Sequence, residues 1–250
     1  MRLVNAEILK LRKRRGLMVW VGILTVGAMA IAYGILIALH AVDPAKHPAA
    51  GGAKNLENAL WLLASLGSVA AVMLGVTAGS QDGSSGVFRD LVVSGRSRRT
   101  LFNVRLPGAV AVFAPFVVTA FGLAVAASYV FAGGRPTASA HDIAAYGASL
   151  GSLVLVNLVL GVSLGSIVSA RIATGVLIGW NAVLAGLLAS IHSLGAAREG
   201  IDIVAATHWA PSVAGKLDVP MTGGTALTVL LIWIALSLRA GALWTKRVDA

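Results

Sequence analysis

Two serines stand in a pattern that a nucleophile uses. Gly147-Ala148-Ser149-Leu150-Gly151 and Gly161-Val162-Ser163-Leu164-Gly165 both match G-x-S-x-G. In a hydrolase that pattern exposes a serine hydroxyl on a tight strand-to-helix turn. Activation then requires a base, usually histidine, within hydrogen-bond reach. The five histidines are His40, His47, His141, His192 and His208, and none is central in an apolar run. Both motifs also fall within one apolar stretch that reads as a single helix. Packing is the simpler account of these glycines. With Gly75/Gly79 and Gly175/Gly179, they place small residues one helical turn apart, which lets helices approach closely. A six-span intramembrane serine hydrolase stays open as an alternative that lacks a base.

Other chemistries leave fewer traces. The chain has no cysteine, so it offers no disulfide, thiolate metal site or cysteine nucleophile. Its histidines lack metal-ligand spacing, and H-E-x-x-H is absent. No G-x-x-x-x-G-K-[ST] occurs, so no P-loop binds ATP, and energy for any pumping would come from another polypeptide. Beyond serine and threonine, the clearest polar groups deep in apolar runs are Asn157 and Asn181. Each amide either bonds to a neighbouring helix or marks a polar point on a substrate path.

The elements that hold these residues are dictated by composition. Of the 250 residues, 57% are hydrophobic and 12% charged, about half the charged share of a soluble domain. Such a chain sits mostly in lipid. A crossing needs about 20 apolar residues. Six runs qualify, at 17–39, 59–79, 106–132, 143–168, 172–194 and 222–238. The expected fold is therefore all-α, a single membrane domain of six transmembrane helices.

The loops orient it. In a six-span arrangement, residues 1–16, 80–105, 169–171 and 239–250 share one side and hold 15 of the 20 Lys and Arg. The threefold bias places both termini in the cytoplasm, with 195–221 outside. Topology thus accounts for the formal net charge of +10, and nucleic-acid binding loses its support. Trp61, Tyr129 and Tyr146 fall near outer span ends, and Trp20 and Trp244 near inner ones, as aromatic belts predict. A cleaved signal peptide is the competing account of the N-terminus, but the apolar run passes its Ala28-Met29-Ala30 pattern unbroken to Leu39. No span carries Asp, Glu, Lys or Arg at its centre, which argues against ion-coupled transport and voltage sensing. Pro107 falls near the start of the third span, and Pro115 should kink it.

Two stretches of the basic face stand out. In residues 3–15, Val4, Ile8 and Leu11 form one side of a helix, with Glu7, Lys10 and the run Arg12, Lys13, Arg14, Arg15 around the rest. This segment is either an elbow helix lying among anionic headgroups or an inward extension of the first span. Residues 83–99 place Val87, Phe88, Leu91 and Val92 on one helical face beside Arg89 and Asp90, with Ser84 or Ser85 as a cap and Gly95 as a stop. A helix of about two turns is not stable alone in water, so its apolar face must dock on something.

These stretches carry a resemblance. "AEILKLRKRRG", "DGSSGVFRDLVVSGRSRRTLFNVRL", "WAPSVAG" (Trp209–Gly215) and "LWTKRVDA" occur in the order of the permease subunits of type-2 ATP-binding-cassette exporters. That family includes drug-resistance, antibiotic-resistance and bacitracin- or lantibiotic-immunity transporters. Gly86, Arg89, Leu91, Ser97 and Arg98 take places of the family's loop motif. Val87 stands where threonine is usual, Gln81/Asp82 where glutamate is, and Arg105 where lysine is. The resemblance implies a coupling helix at 87–92 docking on an ATPase subunit that binds ATP and Mg, two copies of each subunit, and a capping structure over 195–221. The chain itself would bind no cofactor or metal. It implies a bacterial-type cytoplasmic membrane and export of an amphiphile, while a membrane scaffold without transport is the other reading.

Overall fold

The computed structural model describes residues 2–84, 95, 97–214 and 219–247. In chain order the helices are α1 (Arg2–Arg12), α2 (Arg15–Val42), α3 (Ala53–Ser84), α4 (Arg98–Val130), α5 (Ala140–Gly165), α6 (Ala170–Ser190), α7 (Asp202–Ala206) and α8 (Gly223–Arg247). No strand occurs among the described residues. Six of the helices, α2 to α6 and α8, are long and apolar enough to cross a membrane, as hydropathy predicts for a multi-pass protein.

Helix limits differ from span limits because polar residues can continue or cap a helix beyond the apolar run. α4 starts at Arg98, where Ser97 Oγ accepts the Thr100 N–H at 3.1 Å. A Ser139–Asp142 capping box starts α5. α8 runs nine residues past the expected span end, to Arg247. α6 stops at Ser190, short of the expected 194, because Ile191 leaves helical geometry and a 3₁₀ segment follows over His192–Gly200. α4 passes unbroken through Pro107 and Pro115.

The core is the pair α3 and α5, whose apolar windows are 67% and 61% buried, against 17% to 33% in the other four spans. Their crossing is made by glycine. A Cβ on Gly75 would lie 2.5 Å from the Leu158 carbonyl oxygen, and one on Gly79 2.3 Å from that of Val162. From the facing helix, a Cβ on Gly161 or Gly165 would fall 3.0 Å from Gly75 Cα or 2.6 Å from the Val76 carbonyl oxygen. The expected small-residue surface at these four positions is therefore real. The other two pairs differ: a Cβ on Gly151, Gly175 or Gly179 meets nothing within 4 Å, and one on Gly147 meets only the Phe121 ring, at 3.6 Å. Glycine spacing permits close approach, but the partner helix must also present its backbone to that face.

α1 is a separate helix, broken from α2 at Lys13 and Arg14. It lies along the start of α4. Arg12, Lys13, Arg14 and Arg15 are exposed and Leu11 is fully buried. Glu7 corrects the expected pattern, because it turns inward and is 6% exposed. The room comes from Gly108, where a Cβ would sit 2.7 Å from that of Glu7. Lys10 Nζ, 2.7 Å from Glu7 Oε1, balances the carboxylate.

At the opposite end, the loop before α3 caps α4. The N–H groups of Gly51 and Gly52 donate to the carbonyls of Phe131 and Ser128 at 2.7 Å and 2.8 Å. The last turn of a helix leaves its carbonyls without intrahelical donors, and here a neighbouring loop supplies them. Gly51 is required for this approach, since a Cβ there would fall 2.5 Å from the Ser128 oxygen. Arg135 Nη1 donates to the Ala49 and Gly51 carbonyls and holds the loop in place.

The 83–99 stretch is described only at its edges. α3 includes Ser84, so that residue is helical rather than the cap before a helix. Gly95 takes the expected left-handed conformation, at φ 85°. Val87, Phe88, Arg89, Asp90, Leu91 and Val92 lie outside the described residues.

Candidate functional site

Asn157 and Asn181, on α5 and α6, meet in the bundle. Asn157 is fully buried. Its Nδ2 donates to the Leu153 carbonyl at 2.9 Å and reaches Ser68 Oγ of α3 at 3.5 Å. Its Oδ1 accepts from Asn181 Nδ2 at 2.7 Å, and Asn181 Nδ2 also donates to the Leu177 carbonyl at 2.8 Å. These contacts fix both amide orientations, because a flip of either would set oxygen against oxygen. The network ends in one open acceptor, as Asn181 Oδ1 has no hydrogen-bond partner. The amides bind α3, α5 and α6 together, and Asn181 also lines a space in the bundle.

That space is a cavity of about 420 Å³. Trp61, Ser65 and Ser68 of α3 line one wall, Asn181 lies on another, and Ile203 and Val213 close a third. The volume falls within the range of about 300–1,000 Å³ typical of small-molecule sites. Asn181 belongs to a π-helical turn, Trp180–Leu184, set within α6. Such turns insert one residue into a helix and occur often at functional sites. A second lies at Ile23–Gly27 in α2. Hydropathy carries no mark of either, since an inserted residue leaves the apolar run unchanged.

The third wall comes from the chain after α6, which folds back onto the bundle. Ile201, Val204, Ala205, Ala206 and Thr207 are all buried. Two tryptophans anchor the fold-back. Trp180 Nε1 donates to Asp202 Oδ1 at 2.9 Å, and Trp233 Nε1 to the Gly200 carbonyl at 2.9 Å. Their rings pack 6.0 Å apart. Asp202, at 1% exposure, is a buried carboxylate one residue from the cavity wall, and sequence reasoning passed over it. Its only local signal is a single acid inside the apolar run "IDIVAA".

Burial holds the Asp202 carboxyl above its ordinary value of 3.8, against the Trp180 N–H and the first amides of α7, which favour the charged form. A raised folded-state value makes folding more favourable below the unfolded value and progressively less so as pH rises through the folded one. Asp202→Asn keeps an oxygen for the indole and removes the charge. Its melting temperature in detergent will equal or exceed that of the wild type at about pH 8, and their difference will shrink toward about pH 4. Asp202→Leu strands the Trp180 N–H and will cost about 1–3 kcal/mol at either pH.

At the end of the bundle that carries both termini, Arg105 is 3% exposed and lies two turns inside α4. Its Nη1 donates to Ser166 Oγ at 2.9 Å. That hydroxyl lies 2.8 Å from the Val162 carbonyl and 3.3 Å from that of Gly79. The first turns of α4 are thus tied to the last turns of α3 and α5. Ser149 and Ser163, the candidate nucleophiles, are buried and their hydroxyls have no hydrogen-bond partner.

No known family model and no curated protein matches this chain. The resemblance to exporter permeases accordingly stands on the motifs themselves, and the site stands on its geometry.

Proposed function

We propose that the chain is the membrane-spanning subunit of an ATP-driven exporter, of the kind formed by type-2 ATP-binding-cassette permeases. The observation that carries this is the cavity beside Asn181, a mostly apolar notch with a few polar side chains inside a six-span bundle whose span centres hold no charged residue. A solute there is met by the Asn181 side chain, two serines and mostly apolar walls. That chemistry suits a drug, antimicrobial peptide or lipid-linked amphiphile better than a small ion.

Energy then enters from outside the chain, which has no P-loop. Residues 83–99 are the segment for it, with Val87, Phe88, Leu91 and Val92 as the docking face on an ATPase subunit that carries ATP and Mg. α4 begins just after this segment, and Arg105 joins α4 to α3 and α5. A push on the loop would therefore reach the helices around the cavity. Two permease and two ATPase copies, an N-terminal elbow in the headgroup layer and cytoplasmic termini complete the arrangement. The basic bias of the terminal face supports that orientation in a bacterial-type inner membrane.

The test is co-purification. Mildly solubilised from its native membrane, the tagged chain should bring down a subunit with a Walker-A motif, and the complex should hydrolyse ATP faster when substrate is present. A chain that purifies alone, from cells in which a neighbouring ATPase gene is expressed, would favour the scaffold reading.

A further inference from the structure

A second cavity, of about 490 Å³, lies where α1, α2 and the middle of α4 come together. Its walls are Ile8 of α1, Met18 of α2, and Val112, Pro115 and Phe116 of α4. Its single charged wall residue is Arg12, in the last turn of α1. Lys13, Arg14 and Arg15 follow it immediately, all exposed. α2 approaches α4 beside the slot, since a Cβ on Gly22 would be 3.5 Å from the Phe116 ring. The other wall is held firm by Glu7 seated against Gly108.

Apart from Arg12, every side chain that lines this slot is apolar. An apolar slot with a cation at its rim, beside three further cations, matches an anionic amphiphile. The slot also lies toward the end of the bundle that carries the N-terminus, where the basic run leads into α2. We infer that it binds one anionic phospholipid, with the phosphate on Arg12 and an acyl chain between Met18 and Pro115–Phe116. Pro115 then has a structural use: it shapes the wall of a lipid slot. The inference is independent of the transport reading and of the Asn181 cavity.

The experiment uses the full chain without any ATPase. It is reconstituted in nanodiscs of phosphatidylcholine and phosphatidylglycerol, extracted, and examined by native mass spectrometry. The wild type should retain one phosphatidylglycerol in preference to phosphatidylcholine. Arg12→Gln should lower that retention about fivefold, the equivalent of ~1 kcal/mol for one basic residue at a membrane surface. Ala111→Phe, at an exposed position on the cavity wall, fills the slot without touching charge and should lower it at least as much. Lys54→Gln, at the other end of the bundle, should change nothing. Unchanged melting temperatures would show that both test variants fold. Wild-type retention in both, or equal retention of phosphatidylcholine, overturns the inference.

Discussion

Gly79→Val will fail to give a stable folded chain. A Cβ at this position falls 2.3 Å from the Val162 carbonyl oxygen and 3.0 Å from the Gly165 carbon and the Ser166 nitrogen. All three are backbone atoms, so no rotamer change relieves the contact. The helices must separate, and α3 and α5 are the two most buried spans. In lipid there is no hydrophobic drive to hold helices together, so close packing is the main attraction between them. Overpacking costs about 1–3 kcal/mol where side chains can yield, and more against rigid backbone. Separation would also pull Ser166 from Gly79 and loosen the Arg105 tie. Gly75→Val should behave the same way, its Cβ lying 2.5 Å from the Leu158 oxygen. Gly175→Val is the control, with nothing within 4 Å of its Cβ. Size-exclusion after heating in detergent reads all three. A Gly79→Val chain that melts with the wild type would mean that α3 and α5 do not cross as described.

On the exporter function proposed above, Phe88→Asp and Leu91→Asp will uncouple the chain from the ATPase subunit expected to partner it. The argument is one of burial. In the sequence Val87, Phe88, Leu91 and Val92 repeat at i, i+1, i+4 and i+5, and a helix as short as this spacing predicts would gain stability only by docking. A carboxylate on the docking face would be buried without a partner, at a cost of several kcal/mol. Each ~1.4 kcal/mol is a tenfold loss of affinity, so substrate-stimulated ATP hydrolysis should fall at least about tenfold. Insertion, melting temperature and lipid retention should stay at wild-type levels, since a face that docks on a partner subunit adds nothing to the packing of α3 against α5. Full coupled activity in both variants would remove 87–92 as the docking face. It would leave the phospholipid slot untouched, because that measurement needs no ATPase.

Much of the candidate site was visible as residue types but not as an arrangement. Asn157 and Asn181 stood out because an amide is expensive in an apolar run. Their mutual bond did not, because it depends on the rotation of α5 against α6 and on a π turn that leaves hydropathy unaltered. Asp202 was hidden by its place between spans: in one dimension it is a loop acid, and only the fold-back makes it a buried one bonded to Trp180. Glu7 was misplaced for a similar reason. Helical spacing put it among the polar residues, yet a missing Cβ a hundred residues away, at Gly108, opened a seat for it.

By itself, then, the sequence determined the six crossings, their order and the charge asymmetry of the loops. Each is a sum over neighbouring residues, and transfer into lipid depends on little else. The tertiary structure decided which glycines form the core seam, where Asn181 leaves an acceptor open, that Asp202 is buried, and that Arg12 stands at the rim of an apolar slot. Those depend on which face of each helix meets which neighbour. That choice is settled by pairwise contacts between residues far apart in the chain, and no local pattern contains it.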